Sequence, residues 1–361
     1  MRTADLPAIK LKFLRSLTDE SGLLQHAKFS TPRRQEGYTT DDNSRALIAS
    51  VKYQQLRDDS VSRKLVNIYL GFLLYMQMPD GRFHNFLSYN RQFLDDVGSE
   101  DCIGRALWAC GWTVGSNIST QEKLVAKEMF DKGLVWIEKF GSLRPKAFTI
   151  LGLASYRKAY SEDQNIIANI ENLAQQLLQS YKKESSENWH WFESCLTYVN
   201  GRLPQALFEA FRVTSDPECL QVAEESFDFV MKLQTVDNTF VPIGNNGWCH
   251  RNRERALFDQ QPVEASCMVE TALTAYRATG DEKYRGMAYN VFEWFLGRNC
   301  KGLMIYDEKN GGCYDGITSQ GLNLNQGAEA ITSYIIARLE LEIDKRSSQP
   351  KTPASTSQHN D

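Results

Sequence analysis

The sequence predicts an all-α fold, an (α/α)6 toroid of six helical hairpins, and three observations lead there. Helices rich in small residues recur along the chain, amphipathic helices alternate with them, and the long polar loops all fall on one side of the resulting hairpins.

The first class of helix comprises Ala46 to Tyr53, Ile103 to Gly111, Ala147 to Tyr156, Ala206 to Phe211, Ala265 to Tyr276 and Ala328 to Leu341. Each is apolar on most faces, the mark of a helix surrounded by protein. The second class carries one apolar stripe opposite a charged face, as in Leu65, Ile68, Tyr69, Phe72, Leu73 and Met76, and in Tyr284, Met287, Ala288, Val291, Phe292, Phe295 and Leu296. The alanines Ala46, Ala106, Ala147, Ala206, Ala265 and Ala330 mark the buried helices, most of them about 60 residues apart. Arg212 to Asp216 and Arg277 to Asp281 write the same tight turn twice, with the aspartate placed to cap the next helix. Six buried helices have five surface helices between them. An amphipathic helix over Leu6 to Leu17 is expected to supply the twelfth and close the ring against the last buried helix. One domain over residues 1–344 follows, with a tail from Lys345 to Asp361 that lacks apolar periodicity and is expected to be disordered.

The bulk composition narrows the function classes. The 361 residues are 42% hydrophobic and 24% charged, enough to bury a large core. A formal charge of -4 arises from 41 basic and 45 acidic residues mixed along the chain, without the basic stripe that nucleic acid requires. No segment has the length of apolar sequence that spans a bilayer, and the N-terminus lacks the apolar run of a signal peptide. Eight cysteines are scattered with no CxxC spacing, as expected of reduced, buried thiols in a cytoplasmic protein.

In a closed double ring, the loops leading into the inner helices gather at one mouth. Asp42 and Asp101 each precede an Arg-Ala-Leu triplet on successive inner helices, and two facing carboxylates are what glycoside hydrolysis uses, one as acid and one as base or nucleophile. Glu193 and Glu264 are reserve candidates for the same roles. Helix capping is the commonest use of aspartate at such positions, but it leaves the doubled acids Asp41-Asp42 and Glu100-Asp101 unexplained. Tyr38, Trp189, Trp191 and Trp248, with Phe83 and Tyr314, could stack on sugar rings or simply pin the loops. Asp41, His26, Gln261, Asp315 and Gln326 complete the candidate substrate-binding set. His190 and His250 stand at similar offsets before successive inner helices, which suits an acid/base pair for sugar epimerisation. No phosphate-binding loop, dinucleotide fingerprint, HExxH or GxSxG occurs, so no cofactor is expected, and no spacing argues for a metal.

The hairpin spacing and the mouth-side acids resemble the six-hairpin glycosidase superfamily over nearly the whole chain, up to about Leu341. More specifically, Gly22-Leu23-Leu24-Gln25-His26-Ala27 followed by Gly37-Tyr38-Thr39-Thr40-Asp41-Asp42-Asn43-Ser44-Arg45-Ala46-Leu47 resembles the all-helical, hydrolase-like domain that accompanies bacterial glycosyltransferases. The resemblance implies an oligosaccharide or glycan substrate, a glycosyltransferase as partner, and catalytic acids at the starts of the first and second inner helices, where Asp42 and Asp101 stand. Three readings follow: a glycoside hydrolase, expected to invert; a sugar epimerase or isomerase using His190 and His250; and a non-catalytic glycan-binding companion of a glycosyltransferase.

Overall fold

A computed structural model of the protein describes residues 6–348. Six inner helices form the ring: α2 (Thr40–Leu56), α4 (Glu100–Val114), α6 (Leu143–Tyr156), α8 (Arg202–Thr214), α10 (Pro262–Thr279) and α12 (Ala328–Ser347). Each contacts the next, and α12 contacts α2, so the ring closes. The outer helices α3 (Ser60–Met76), α5 (Thr120–Leu134), α7 (Gln164–Glu184), α9 (Pro217–Leu233) and α11 (Glu282–Phe292) pack outside them. The (α/α)6 toroid expected from the sequence is the fold observed.

Local chemistry sets the hairpins. Asp59, Asp163, Asp216 and Asp281 cap α3, α7, α9 and α11, each side chain accepting from a first-turn N–H. Before two of these, α8 ends in left-handed Ser215 (φ 60°) and α10 in left-handed Gly280 (φ 74°), which reverses the chain at once. At the opposite end the connections are long and carry two- and three-residue strand pairs, among them Tyr38–Thr39 with Phe86–Leu87 and Cys195–Leu196 with Cys249–His250.

Closure at the N-terminus is slighter than expected. Only Lys12–Ser16 are helical (α1), and Leu11, Phe13, Leu14 and Leu17 are buried. Upstream the chain is irregular where it docks, with the Pro7 carbonyl accepting from Arg338 Nε at 2.8 Å. The expected helix over Leu6 to Leu17 is thus reduced to its last turn. Lys345 to Ser347 continue α12, and residues 349–361 of the expected tail lie outside the described residues. All eight cysteines are unpaired, and no helix of the described residues is long and apolar enough to cross a membrane.

The α4–α6 pair is the tightest in the ring, because glycines line it. A Cβ built on Gly111 would lie 2.3 Å from the Gly152 carbonyl oxygen, and one on Gly104 2.7 Å from Pro145 Cα. Gly111→Ala therefore forces two backbones apart, and overpacking by roughly 1–3 kcal/mol should outweigh the ~1 kcal/mol gain in helix propensity. Gly71→Ala, on an outer helix with nothing within 4 Å, should show that gain undiminished. Urea unfolding of the two variants checks the contrast, and equal effects would refute it.

Candidate active site

The mouth cavity begins with the turn Tyr38 to Asp42. Thr39 Oγ1 accepts from Asp42 N at 3.0 Å and donates to Asp42 Oδ2 at 2.8 Å, so the side chain folds back over the start of α2 and is 5% exposed. One turn on, buried Arg45 binds three carboxylates: Asp41 at 2.9 Å, Asp42 at 3.3 Å and Glu329 of α12 at 2.9 Å. Arg105 of α4 lies 2.9 Å from Asp41, its guanidinium 4.2 Å over the Phe148 ring. That contact is close but does not have the geometry of a hydrogen bond, which leaves both buried atoms without a hydrogen-bond partner.

The remaining lining comes from distant segments. Gln25 and His26 precede α2, Asn85 and Phe86 follow α3, Gln261 and Pro262 open α10, and Asp315, Asn323 and Gly327 lead into Glu329 on α12. The cavity measures about 340 Å³. Two hydrogen bonds from backbone N–H groups hold its walls together: Thr40 N donates to the Asn85 carbonyl at 2.9 Å, and Gly327 N donates to the Asp315 carboxylate Oδ1 at 2.6 Å. Four carboxylates (Asp41, Asp42, Asp315, Glu329) and one histidine line the space, with no lysine or arginine among the lining residues.

Burial governs the proton affinities. It pushes Asp42 up to about 7, with Arg45 opposing and Asp41 and Glu329 adding to the rise. Asp315 is also raised by burial, against the Gly327 N–H and His26, which lower it. Glu264 is raised to about 7 by burial, although Val199 N, Asn200 N and Asn200 Nδ2 donate to it. A carboxyl whose folded pKa lies above its unfolded value binds more protons in the folded state. Its contribution to stability is full below about pH 4 and is lost as pH rises toward 7, by up to about 1.4 kcal/mol per pH unit per group. Asp42 and Glu264 should therefore make the protein more stable at pH 5 than at pH 8, and Glu264→Gln should flatten the slope in thermal melts. A slope unchanged by that substitution would count against it.

The candidate residues divide by placement. Asp41, Asp42, His26, Gln261 and Asp315 line the mouth cavity together. Asp101 is not among the residues that line it; it is half-buried, and the Tyr198 hydroxyl, from the loop before α8, donates to its Oδ2 at 2.6 Å. Glu193 is paired with Arg144 at 2.8 Å, and Glu264 is buried beneath Val199 and Asn200. Both carboxylates thus hold that same loop down over the α4–α6–α8 side of the mouth. Val199, β-branched yet at φ 45°, is the strained residue they hold.

Most of the expected sugar-stacking rings are turned inward. Tyr38 is buried and donates to Asp19 Oδ2 at 2.6 Å, Trp191 and Phe83 are fully buried, and Trp189 is buried with Nε1 donating to the Glu193 carbonyl at 2.8 Å. Trp248 is half-buried in a left-handed turn (φ 57°) away from the cavity lining, and Gln326 is buried between Asn310 and Asp307. His190 lies against Phe229 in a separate cavity of about 920 Å³ along α9, whereas His250 is exposed and lines neither space. The two histidines do not share a cavity.

Sequence reasoning passed over Glu329, Arg45, Asn85 and Phe86. Glu329 obeys the rule that selected Asp42, an acid in the first turn of an inner helix. Phe86 carries no such signal, because only its pairing opposite Thr39 brings it to the mouth.

No protein-family model matches the chain, and no curated protein sequence does. Solved structures do. Cellobiose 2-epimerase from Bacillus thermoamylovorans is similar over 93% of this chain and 96% of its own, with a TM-score of 0.72 and 13% identity. The likeness shows the (α/α)6 toroid fold. A D-mannose isomerase matches over 92% of this chain and 95% of its own (TM-score 0.69, 13% identity). A family 76 α-mannanase from Bacteroides thetaiotaomicron matches over 93% and 94% (TM-score 0.64, 12% identity). At such identities the likeness concerns the fold, which hosts both hydrolysis and epimerisation in these enzymes.

Proposed function

We propose that the protein is a carbohydrate-active enzyme, a glycoside hydrolase working at the acidic mouth. The observation that carries this reading is Asp42, a buried carboxyl with a pKa near 7 in the wall of a cavity that also holds Asp315. A carboxyl that keeps its proton near neutrality is what a leaving glycosidic oxygen requires. Asp42 is the general acid in this reading. Its charged neighbours are Arg45, Asp41 and Glu329, while those of Asp315 are His26 and Glu329. Both acids line this one cavity, an arrangement that suits carboxyls on either side of a substrate. Asp315, with Oδ1 held by Gly327 N, is in this reading the base that activates water, in place of Asp101, which lies outside the cavity lining. Carboxyls roughly 6.5–9.5 Å apart leave room for that water and invert the anomeric centre.

Epimerisation needs acid/base groups on both faces of one sugar carbon, and His26 is the single histidine lining the cavity. A lining of carboxylates and amides without lysine or arginine suits neutral sugars better than uronates.

The test is a screen of the purified protein against neutral gluco-, manno- and galacto-oligosaccharides, with NMR detection of the product. Release of a shorter sugar in inverted configuration is expected. An epimerised or isomerised product of unchanged length would overturn the hydrolase assignment, and binding without any turnover would favour a glycan-binding companion of a glycosyltransferase.

A further inference from the structure

We propose that Phe29 and Phe86 are sugar-stacking platforms on the rim of the acidic cavity, so that the substrate is a chain of neutral sugars extending beyond the cavity floor. The inference rests on the glycosidase reading above and adds the substrate's shape to it.

The cavity, at about 340 Å³, is near the bottom of the range for small-molecule sites, roughly 300–1,000 Å³. A longer saccharide has to cross the rim, and the rim carries exposed aromatic rings. Phe86 lines the cavity and is 42% exposed. Its backbone is fixed: Asp95 accepts from Asn85 N at 2.7 Å and from Phe86 N at 3.1 Å, and Leu94 N donates to Phe86 O at 3.0 Å. Because Leu87 pairs with Phe93, Leu94 stands across from Phe86 on the same face, and it is 62% exposed. Together they form an apolar step beside Asp42.

Phe29 is held as firmly and at greater strain. It is 55% exposed and sits at φ 54°, a left-handed conformation that bulky residues rarely adopt. Its N–H donates to Asn325 Oδ1 at 3.0 Å and its carbonyl accepts from Gln326 N at 2.9 Å. This clamp fixes it between His26 and the segment Asn323 to Gly327, whose ends line the cavity. Phe29 and Ser30 form the two-residue turn between Ala27–Lys28 and Thr31–Pro32, which calls for that conformation, yet an exposed, clamped ring there in place of glycine gives the core nothing.

These two rings differ from the other exposed aromatics of the same surface. Tyr89 stacks on Tyr38, and Phe93 stacks on both His84 and Tyr75. Among the described residues, Phe29 and Phe86 have no aromatic neighbour. Their faces are open to the C–H face of a sugar ring, which a flat apolar surface receives while the cavity's carboxylates and amides take hydroxyls.

The experiment uses the full chain carrying Asp42→Asn, so that ligands bind without being consumed, and neutral gluco-, manno- and galacto-oligosaccharides of one to six units in isothermal titration. Affinity should climb with chain length up to about four units. Phe29→Ala and Phe86→Ala should each weaken binding of the longer chains about three- to tenfold, and Phe86→Trp should restore it. Circular dichroism of each variant establishes that these exposed replacements leave the fold intact. Affinity that stays flat with length, or alanine variants that bind the longer chains like the parent, would overturn the platforms while leaving the acidic site standing. If none of the sugars binds at any length, the glycosidase reading fails and takes this inference with it.

Discussion

Asp42→Asn is expected to lower turnover roughly 10³-fold and, at the same time, to make the protein more stable at alkaline pH. The first effect follows from replacing a proton donor with an amide of the same shape, which leaves the Thr39 cap and Arg45 in place but has no acidic proton to give. The second follows from what the native carboxyl costs. Its pKa rises from 3.8 to about 7 on folding, so ionising it in the folded protein is unfavourable by about 4 kcal/mol, at about 1.4 kcal/mol per unit. That cost is absent below about pH 4, grows through pH 4–7 and is complete above it. An asparagine escapes it, and Arg45 keeps Asp41 and Glu329 as partners. The melting temperature of the variant should therefore match the parent at pH 4 and exceed it at pH 8. The parent's activity should fall as pH rises past about 7, where the acid loses its proton, and should fall on the acidic side as Asp315 takes one up. An active Asp42→Asn protein, or one less stable than the parent at pH 8, would remove Asp42 from the role of acid. Such a gain in stability on loss of a catalytic group is the ordinary signature of a site that holds a group in an unfavourable state.

Much of the ring was legible in the sequence because its cause is local. Small residues at helical spacing let inner helices approach, as at Gly111 against Gly152, and aspartates before the outer helices start them. The site was legible where it obeys the same local logic: Asp41 and Asp42 stand in the first turn of an inner helix, and that turn faces the mouth. Asp101 occupies the equivalent place on α4, yet it is engaged by a hydroxyl 97 residues further along the chain and lies outside the cavity lining. No pattern near Asp101 encodes that loop. The aromatic residues failed for a similar reason, since sequence places Tyr38, Trp189 and Trp191 in mouth-side loops but does not say which side of the loop each ring takes. Phe29 and Phe86 escaped notice because both depend on pairings with remote segments.

The inner helices also conceal charge. They read as apolar on most faces, and a toroid of such helices leaves its axis to whatever polar side chains remain. Lys52 on α2 is 1% exposed and bonds Glu340 on α12, with Glu270 on α10 at 3.6 Å and the Trp112 ring of α4 at 4.3 Å. Arg202 on α8 binds Glu270 at 2.5 Å, and Arg277 binds Glu340 at 2.6 Å. Burial would push Glu340 up, but Lys52 and Arg277 outweigh it and hold its pKa far below the usual carboxylate range. Five of the six inner helices are thus tied through one network on the axis.

Lys52→Met removes the shared cation and should destabilise the protein by roughly 3–5 kcal/mol at pH 7, because Glu340 and Glu270 are left buried with a single cation each. The loss should shrink toward pH 4, where a carboxyl deprived of Lys52 can take up a proton and become neutral. In the parent, the low pKa of Glu340 means that its stabilising contribution is present above the unfolded value near 4.5 and is lost only at lower pH, so the two profiles should converge on acidification. Adding Glu340→Gln to Lys52→Met should recover part of the stability at pH 7, since the second change removes the stranded charge. Urea unfolding at pH 4 and pH 7 measures all three effects. A loss below about 1 kcal/mol, or one identical at both pH values, would mean that water or a rearranged Arg277 satisfies the acids, and that the axis of this ring is less tightly bound than its geometry indicates.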